Sequence, residues 1–167
     1  MTAPARENIG VTAAAGFRAA GVTAGLKLSG KPDMALVVND GPIRAAAGVT
    51  TSNRVAAAPV TWTRKVLAGG RIDAVILNSG GANACTGVPG YADCVATAEY
   101  VAAALGTESG RVAVCSTGLI GERLNMPLLL AGVDKAAEAL DARGGEDAAY
   151  AIMTTDTVPK TVTITAN

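Results

Sequence analysis

Three short stretches hold the side chains that could do chemistry. Residues 77–87, "LNSGGANACTG", crowd two amides (Asn78, Asn83), two hydroxyls (Ser79, Thr86) and a thiol (Cys85) into one loop. Residues 115–121, "CSTGLIG", set Thr117 and Gly118 directly after an apolar run, and residues 151–160, "AIMTTDTVPK", hold Thr154, Thr155, Asp156 and Lys160. The chain contains no histidine, so the usual base for a serine or cysteine nucleophile is missing. Cys85 would need something to lower its pKa, and with no neighbouring Lys it reads as an inert small residue. Gly118 allows a turn that gathers backbone N–H groups after a strand, and such donors can stabilise a developing oxyanion, with the Thr117 hydroxyl or the Gly118 amide contributing. The 77–87 loop could orient a polar substrate through its amides and hydroxyls. In the third stretch Thr154 or Thr155 could touch substrate, Asp156 could position the loop, and Lys160 reads as a salt-bridge partner. Taken singly, each stretch is better explained as a tight turn or a helix terminus leading to a proline.

The composition removes several classes of function. With 14 basic and 14 acidic residues the net charge is zero, and no block of like charge marks a nucleic-acid or membrane footprint. Aromatic residues make up only 3%, too few for a base-stacking platform. Three cysteines, no CxxC pair and no histidine exclude an ordinary zinc site and point to a reducing, cytoplasmic compartment. Neither GxxxxGK[ST] nor GxGxxG occurs, so phosphate and dinucleotide sites lack support. No run is long enough to cross a membrane and no signal peptide is expected. Half the residues are apolar, enough for a core built mainly of Ala, Val, Leu and Ile.

These loops need elements to hold them. Residues 1–17 are expected to form a polar lead-in on the surface. Residues 34–38, "MALVV", read as a buried strand, "NDGP" as a turn, and residues 45–51 as its paired strand. Pro59 opens a helix that Gly69-Gly70 stops, and residues 73–77 form a strand covered on both faces. Residues 92–105 have helical spacing with Gly106 at the stop, and residues 111–118 repeat the strand-then-loop design. Asn125 caps a helix with Pro127 in its first turn, a further helix spans 145–153, and "KTVTITA" at 160–166 alternates as a strand. The order β-β-α-β-α-β-α-α-β predicts a layered α/β fold over residues 1–167 as one domain. A terminal strand with no successor predicts further polypeptide beside it.

Taken together, "GVTAAAGFRAAGV", "ILNSGGANACTG", "CSTGLIGERL" and "AIMTTDTVPK" resemble the N-terminal, or α, chain of the ornithine acetyltransferase (bifunctional glutamate N-acetyltransferase) family of arginine biosynthesis. The combined match, in family order across most of the chain, is specific where each piece is not. The resemblance implies an α/β sandwich with its sheet covered by helices, of the self-cleaving N-terminal-nucleophile type, completed by a β chain in an α2β2 hetero-oligomer. It implies a precursor that cuts itself before a threonine, which becomes the nucleophile at the start of the β chain, with its own α-amino group as base. A family α chain continues into a Lys-Gly-rich segment before the cleavage site. The expectation is therefore that this chain, ending at Asn167, lacks that segment and is inactive alone.

By the same resemblance the reaction moves an acetyl group from N2-acetylornithine to glutamate, releasing ornithine and N-acetylglutamate. Acetyl-CoA is a possible co-substrate, and no metal or redox cofactor is implied. Thr117 and Gly118 fall on the family's oxyanion-stabilising pair and Thr154 on a substrate-binding position; the 78–87 loop receives no definite role. Two other readings remain: a self-cleaving aminopeptidase-like hydrolase, which would pass the acyl group to water, and a non-catalytic amino-acid-binding domain.

Overall fold

The computed structural model describes residues 9–166. Four strands form one sheet in sequence order: β1 (Phe17–Val22), β2 (Met34–Asn39), β3 (Ala74–Asn78) and β4 (Val112–Ser116). The first two pairings are antiparallel and β3–β4 is parallel, so a helical crossover must join β3 to β4. The register aligns Val22, Met34, Asn78 and Ser116 at one end of the sheet. Four helices follow the same chain: α1 (Ala58–Leu67), α2 (Gly87–Leu105), α3 (Met126–Glu138) and α4 (Gly145–Ala151).

Strand alternation sorts the core into two faces. Met34, Leu36 and Val38 of β2, with Ile76 and Val114, pack against Cys94, Ala98 and Val101 of α2 and Leu129 and Val133 of α3. On the other face Ala19 and Ala35 pack against Ala148 and Ala151 of α4, with Val37 and Leu77 alongside. The small side chains let α4 approach the sheet closely. A β-carbon placed on Gly21 would lie 1.9 Å from the Asp147 carbonyl oxygen, so β1 and α4 meet backbone to backbone. α1 lies along the outer edge of β4. Its Trp62 indole N–H donates to Val112 O at 2.9 Å, and the Thr63 hydroxyl donates to Val114 O at 2.7 Å and accepts from Val114 N at 3.0 Å.

Several sequence expectations meet their elements. α1 carries Pro59 in its first turn and ends before Gly69, Gly106 caps α2, and the Asn125 side chain accepts the Leu128 N–H at the start of α3. Others need correction. Residues 45–51 are not the partner of β2: both its edges are taken by β1 and β3, and the segment makes one isolated bridge, Ala45 to Arg71. The true partner, β1, falls where a surface lead-in was expected to end, and Thr12 within that lead-in is buried; residues 1–8 lie outside the described residues. α2 begins at Gly87 rather than Ala92, because Pro89 sits in its first turn, where the missing N–H costs nothing. α4 ends at Ala151, two residues earlier than expected. Residues 160–166 form no strand and their side chains are exposed. Alternation alone does not make a strand without a ladder to join, and no described strand pairs with this segment.

Candidate active site

The loops that follow β3 and β4 leave the same end of the sheet, since Asn78 and Ser116 are register partners. They are zipped together by backbone bonds. Thr117 N–H donates to Asn78 O, Ala82 N–H to Leu119 O and Gly121 N–H to Ala84 O, each at 2.9 Å. Gly118 sits at φ +130°, and a β-carbon there would fall 2.9 Å from Gly81 N and 3.0 Å from Gly81 Cα. Only glycine allows both that dihedral and that approach. The loop is also clamped from its far side. Arg123 donates from Nε (2.8 Å) and Nη2 (2.6 Å) to the two oxygens of Asp93, a buried carboxylate on α2, in a bidentate pair.

The polar side chains of the 77–87 loop turn inward. Asn78 Nδ2 donates to Gly81 O, Asn83 Nδ2 to Gly90 O, and the Thr86 hydroxyl to Asn83 Oδ1. The Ser79 hydroxyl donates to Ala151 O at 2.5 Å, and Asn78, Ser79 and Asn83 are all buried. These side chains hold the protein's own backbone in place. Asn83 and Cys85 adopt positive φ, 46° and 59°, within the same tight loop. Cys94, a buried thiol on α2, is pushed up to about 12, chiefly by burial, which leaves it protonated and unsuited to nucleophilic work.

What these loops leave available is narrow. The Thr117 N–H is spent on Asn78, but its hydroxyl and the Gly118 N–H have no hydrogen-bond partner among the described residues, and both residues are exposed. Thr154 follows the last turn of α4 and is also exposed. It is joined to the other loops through Ser79, whose hydroxyl holds Ala151 O, and through Lys27, whose ammonium donates to Met153 O at 2.6 Å. Gly118 thus rests against Gly80 and Gly81, and the segment leading into Thr154 is held at the same end of the sheet by Ser79 and Lys27. Lys160 is the salt-bridge partner that the sequence suggested: its hydrogen bond to Asp156, followed by its charge, holds that carboxyl below the usual range.

Sequence reasoning missed two residues of this region. Asp33 is fully buried, and its carboxylate accepts four consecutive backbone N–H groups, from Ala24, Gly25, Leu26 and Lys27, at 2.6–3.1 Å. Its carbonyl accepts Ser79 N–H at 2.9 Å. Lys27 bridges Pro32 O and Met153 O, and burial pushes its ammonium below the ordinary lysine value, against the opposing pull of Asp33. The available signal was an acidic residue set directly before the apolar run of β2, where a carboxylate must find donors or destabilise the fold.

Fold and site together define an α/β protein that carries its candidate chemistry in loops at one end of the sheet, where ligands of α/β folds collect. A sequence model of the ArgJ family matches residues 18–167. The chain belongs to the ArgJ family, as the motifs suggested. It is 64% identical over 155 residues to the arginine biosynthesis bifunctional protein ArgJ of Streptomyces coelicolor, covering 93% of this chain and 40% of that protein. Against the protein of the same name from Mycobacterium tuberculosis it is 64% identical over 162 residues, with the same coverage. The chain therefore spans about two fifths of the length of these curated relatives. The crystal structure of ornithine acetyltransferase complexed with ornithine from Mycobacterium tuberculosis matches with a TM-score of 0.90 at 62% identity, covering 92% of this chain and 83% of that one. The arginine biosynthesis bifunctional protein argJ of Bacillus halodurans matches with a TM-score of 0.82 at 38% identity, covering 89% and 78%. Among the described residues no helix is long and apolar enough to cross a membrane.

Proposed function

We propose that this chain supplies the oxyanion-binding half of a glutamate N-acetyltransferase active site. The observation that carries the reading is the pair of unspent donors at Thr117 and Gly118, held rigidly against Gly80 and Gly81 at the sheet end. The names of the similar proteins support the same reaction. The nucleophile is a threonine at the start of a β chain cut from the same precursor, and its α-amino group, with an ordinary pKa near 8, serves as base. The threonine oxygen attacks the acetyl carbonyl of N2-acetylornithine. Negative charge collects on the carbonyl oxygen and is met by the Thr117 hydroxyl and the Gly118 N–H. The carbon–nitrogen bond breaks, ornithine leaves with the proton, and an acetyl ester remains on the threonine. The amine of glutamate then attacks that ester through the same oxyanion, freeing the threonine and N-acetylglutamate.

Thr154 contacts the substrate. Two α and two β chains make up the cytoplasmic enzyme, acetyl-CoA is a second possible donor, and the steps as written require no metal or redox cofactor. The test is Thr117→Ala in the intact two-chain enzyme. The hydroxyl is exposed and bonded to no described residue, so the fold should survive. Loss of one oxyanion donor should lower kcat by about a hundred- to thousandfold. Ornithine release by the unsubstituted enzyme should rise strongly with added glutamate. Release that ignores glutamate would replace transfer with hydrolysis, and an unchanged kcat in the variant would remove Thr117 from the site.

A further inference from the structure

Thr154, the proposed substrate contact, lies on an exposed segment after a helix of only seven residues, Gly145–Ala151. So short a helix cannot by itself fix the direction in which the chain leaves it, because its last carbonyls have no partners within the helix. Two side chains from distant parts of the sequence take carbonyls on either side of that exit. The buried Ser79 hydroxyl donates to Ala151 O at 2.5 Å, and the Lys27 ammonium donates to Met153 O at 2.6 Å, the peptide that leads into Thr154.

Both donors are themselves anchored by Asp33. Its carboxylate holds the Lys27 N–H at 2.9 Å, and its carbonyl holds the Ser79 N–H at 2.9 Å. The residues after Ser79, Gly80 and Gly81, are those against which Gly118 rests. A cation near a helix C-terminus also interacts favourably with the carbonyl end of the helix dipole. Lys27 is a charged donor held to two carbonyls, and not an ammonium free in solution.

We propose that Lys27 and Ser79 are positioning residues that set Thr154 in register with the Thr117–Gly118 loop; the inference rests on the acetyl-transfer reading above. They touch no reacting atom. They act by fixing the two carbonyls that flank the turn into Thr154, so that the substrate grip and the oxyanion donors share one rigid base, the Ser79–Gly81 segment.

The experiment is steady-state kinetics on the intact enzyme with N2-acetylornithine as donor, comparing Lys27→Met, Ser79→Ala and Lys27→Arg. Removing a charge-assisted hydrogen bond that holds the grip should raise KM for the donor about tenfold. kcat should stay within about twofold, since the oxyanion donors are untouched. Lys27→Arg keeps a cationic donor and should recover most of the loss. In a Thr154→Ala background, Lys27→Met should add little further, because its effect passes through Thr154. Lys27 is half exposed, so its variant remains informative if Ser79→Ala proves unstable. An unchanged KM in Lys27→Met, or an undiminished effect of that change in the Thr154→Ala background, would overturn the positioning role while leaving the transferase reading intact. Absence of acetyl transfer by the unsubstituted enzyme would instead sink the transferase reading and this inference with it.

Discussion

Gly118 and Thr117 are neighbours with different tolerances, and the difference separates chemistry from packing. Thr117 points a hydroxyl outward, so shortening it removes one donor and little else. Gly118 stands at φ +130° with Gly81 backbone atoms 2.9–3.0 Å from where a β-carbon would be. Any side chain there must push one loop off the other, and the Gly118 N–H would move with it. Gly118→Ala in the intact enzyme should therefore lose activity at least as severely as Thr117→Ala, about a hundred- to thousandfold. Unlike Thr117→Ala, it should also destabilise, by about 1–3 kcal/mol as for other overpacked sites. Kinetics paired with thermal unfolding of both variants checks this. Gly118→Ala with wild-type stability would mean that the contact with Gly81 is looser than the geometry indicates.

At the scale of elements, β4 shows how a sheet edge is closed by side chains. Its outer backbone groups at Val112 and Val114 face no strand; Trp62 and Thr63 of α1 bond to them instead. Thr63→Val keeps the shape of the side chain and removes both bonds to Val114. Leaving that N–H and C=O unpaired should cost about 1–3 kcal/mol in denaturant unfolding. A loss below the error of the measurement would mean that water replaces the hydroxyl. The same element shows what the sequence could reveal. α1 was legible because Pro59 and Gly69-Gly70 are local signals, and α3 because Asn125 caps it within its own turn. β1 was not legible: "FRAAGV" has no strong strand pattern, and its strand character comes from pairing with β2 and from the close approach of α4 at Gly21. The site followed the same rule. The loops could be recognised as loops, but nothing local indicated that Asn78, Ser79 and Asn83 turn inward. Thr117, Gly118 and Thr154 gained roles only from the combined family motifs.

Across the whole molecule, a buried aspartate stands at each end of β3's neighbourhood. Asp33 binds backbone N–H groups at the end that holds the candidate site, while Asp73, just before β3, gathers charges at the other. Arg44 (3.0 Å), Arg71 (3.3 Å) and Arg111 (3.8 Å) surround Asp73, and the Thr107 hydroxyl donates to it at 2.6 Å. These partners come from the connections after β2, α1 and α2, and Asp73 lies in the second of them, so one carboxylate ties together three segments. Burial alone would raise its pKa; hydrogen bonds from Thr107, Arg44 and Arg71, with the Arg44 charge, outweigh it and hold the carboxyl below its ordinary value of 3.8. The sign for stability follows. The unfolded chain takes up its proton near the ordinary value and the folded chain only at lower pH, so the stabilisation is complete above 3.8 and is lost as pH falls through the native value. Asp40 and Asp156 are lowered too, by Arg18 and Lys160, but those pairs are exposed and contribute little. Asp73→Asn in the intact protein should therefore lower the unfolding midpoint at neutral pH and flatten its decline below about pH 4. If the variant's midpoint falls with acid as steeply as that of the unsubstituted protein, the acid sensitivity arises from other carboxylates, and Asp73 is a packing residue whose charge does not matter.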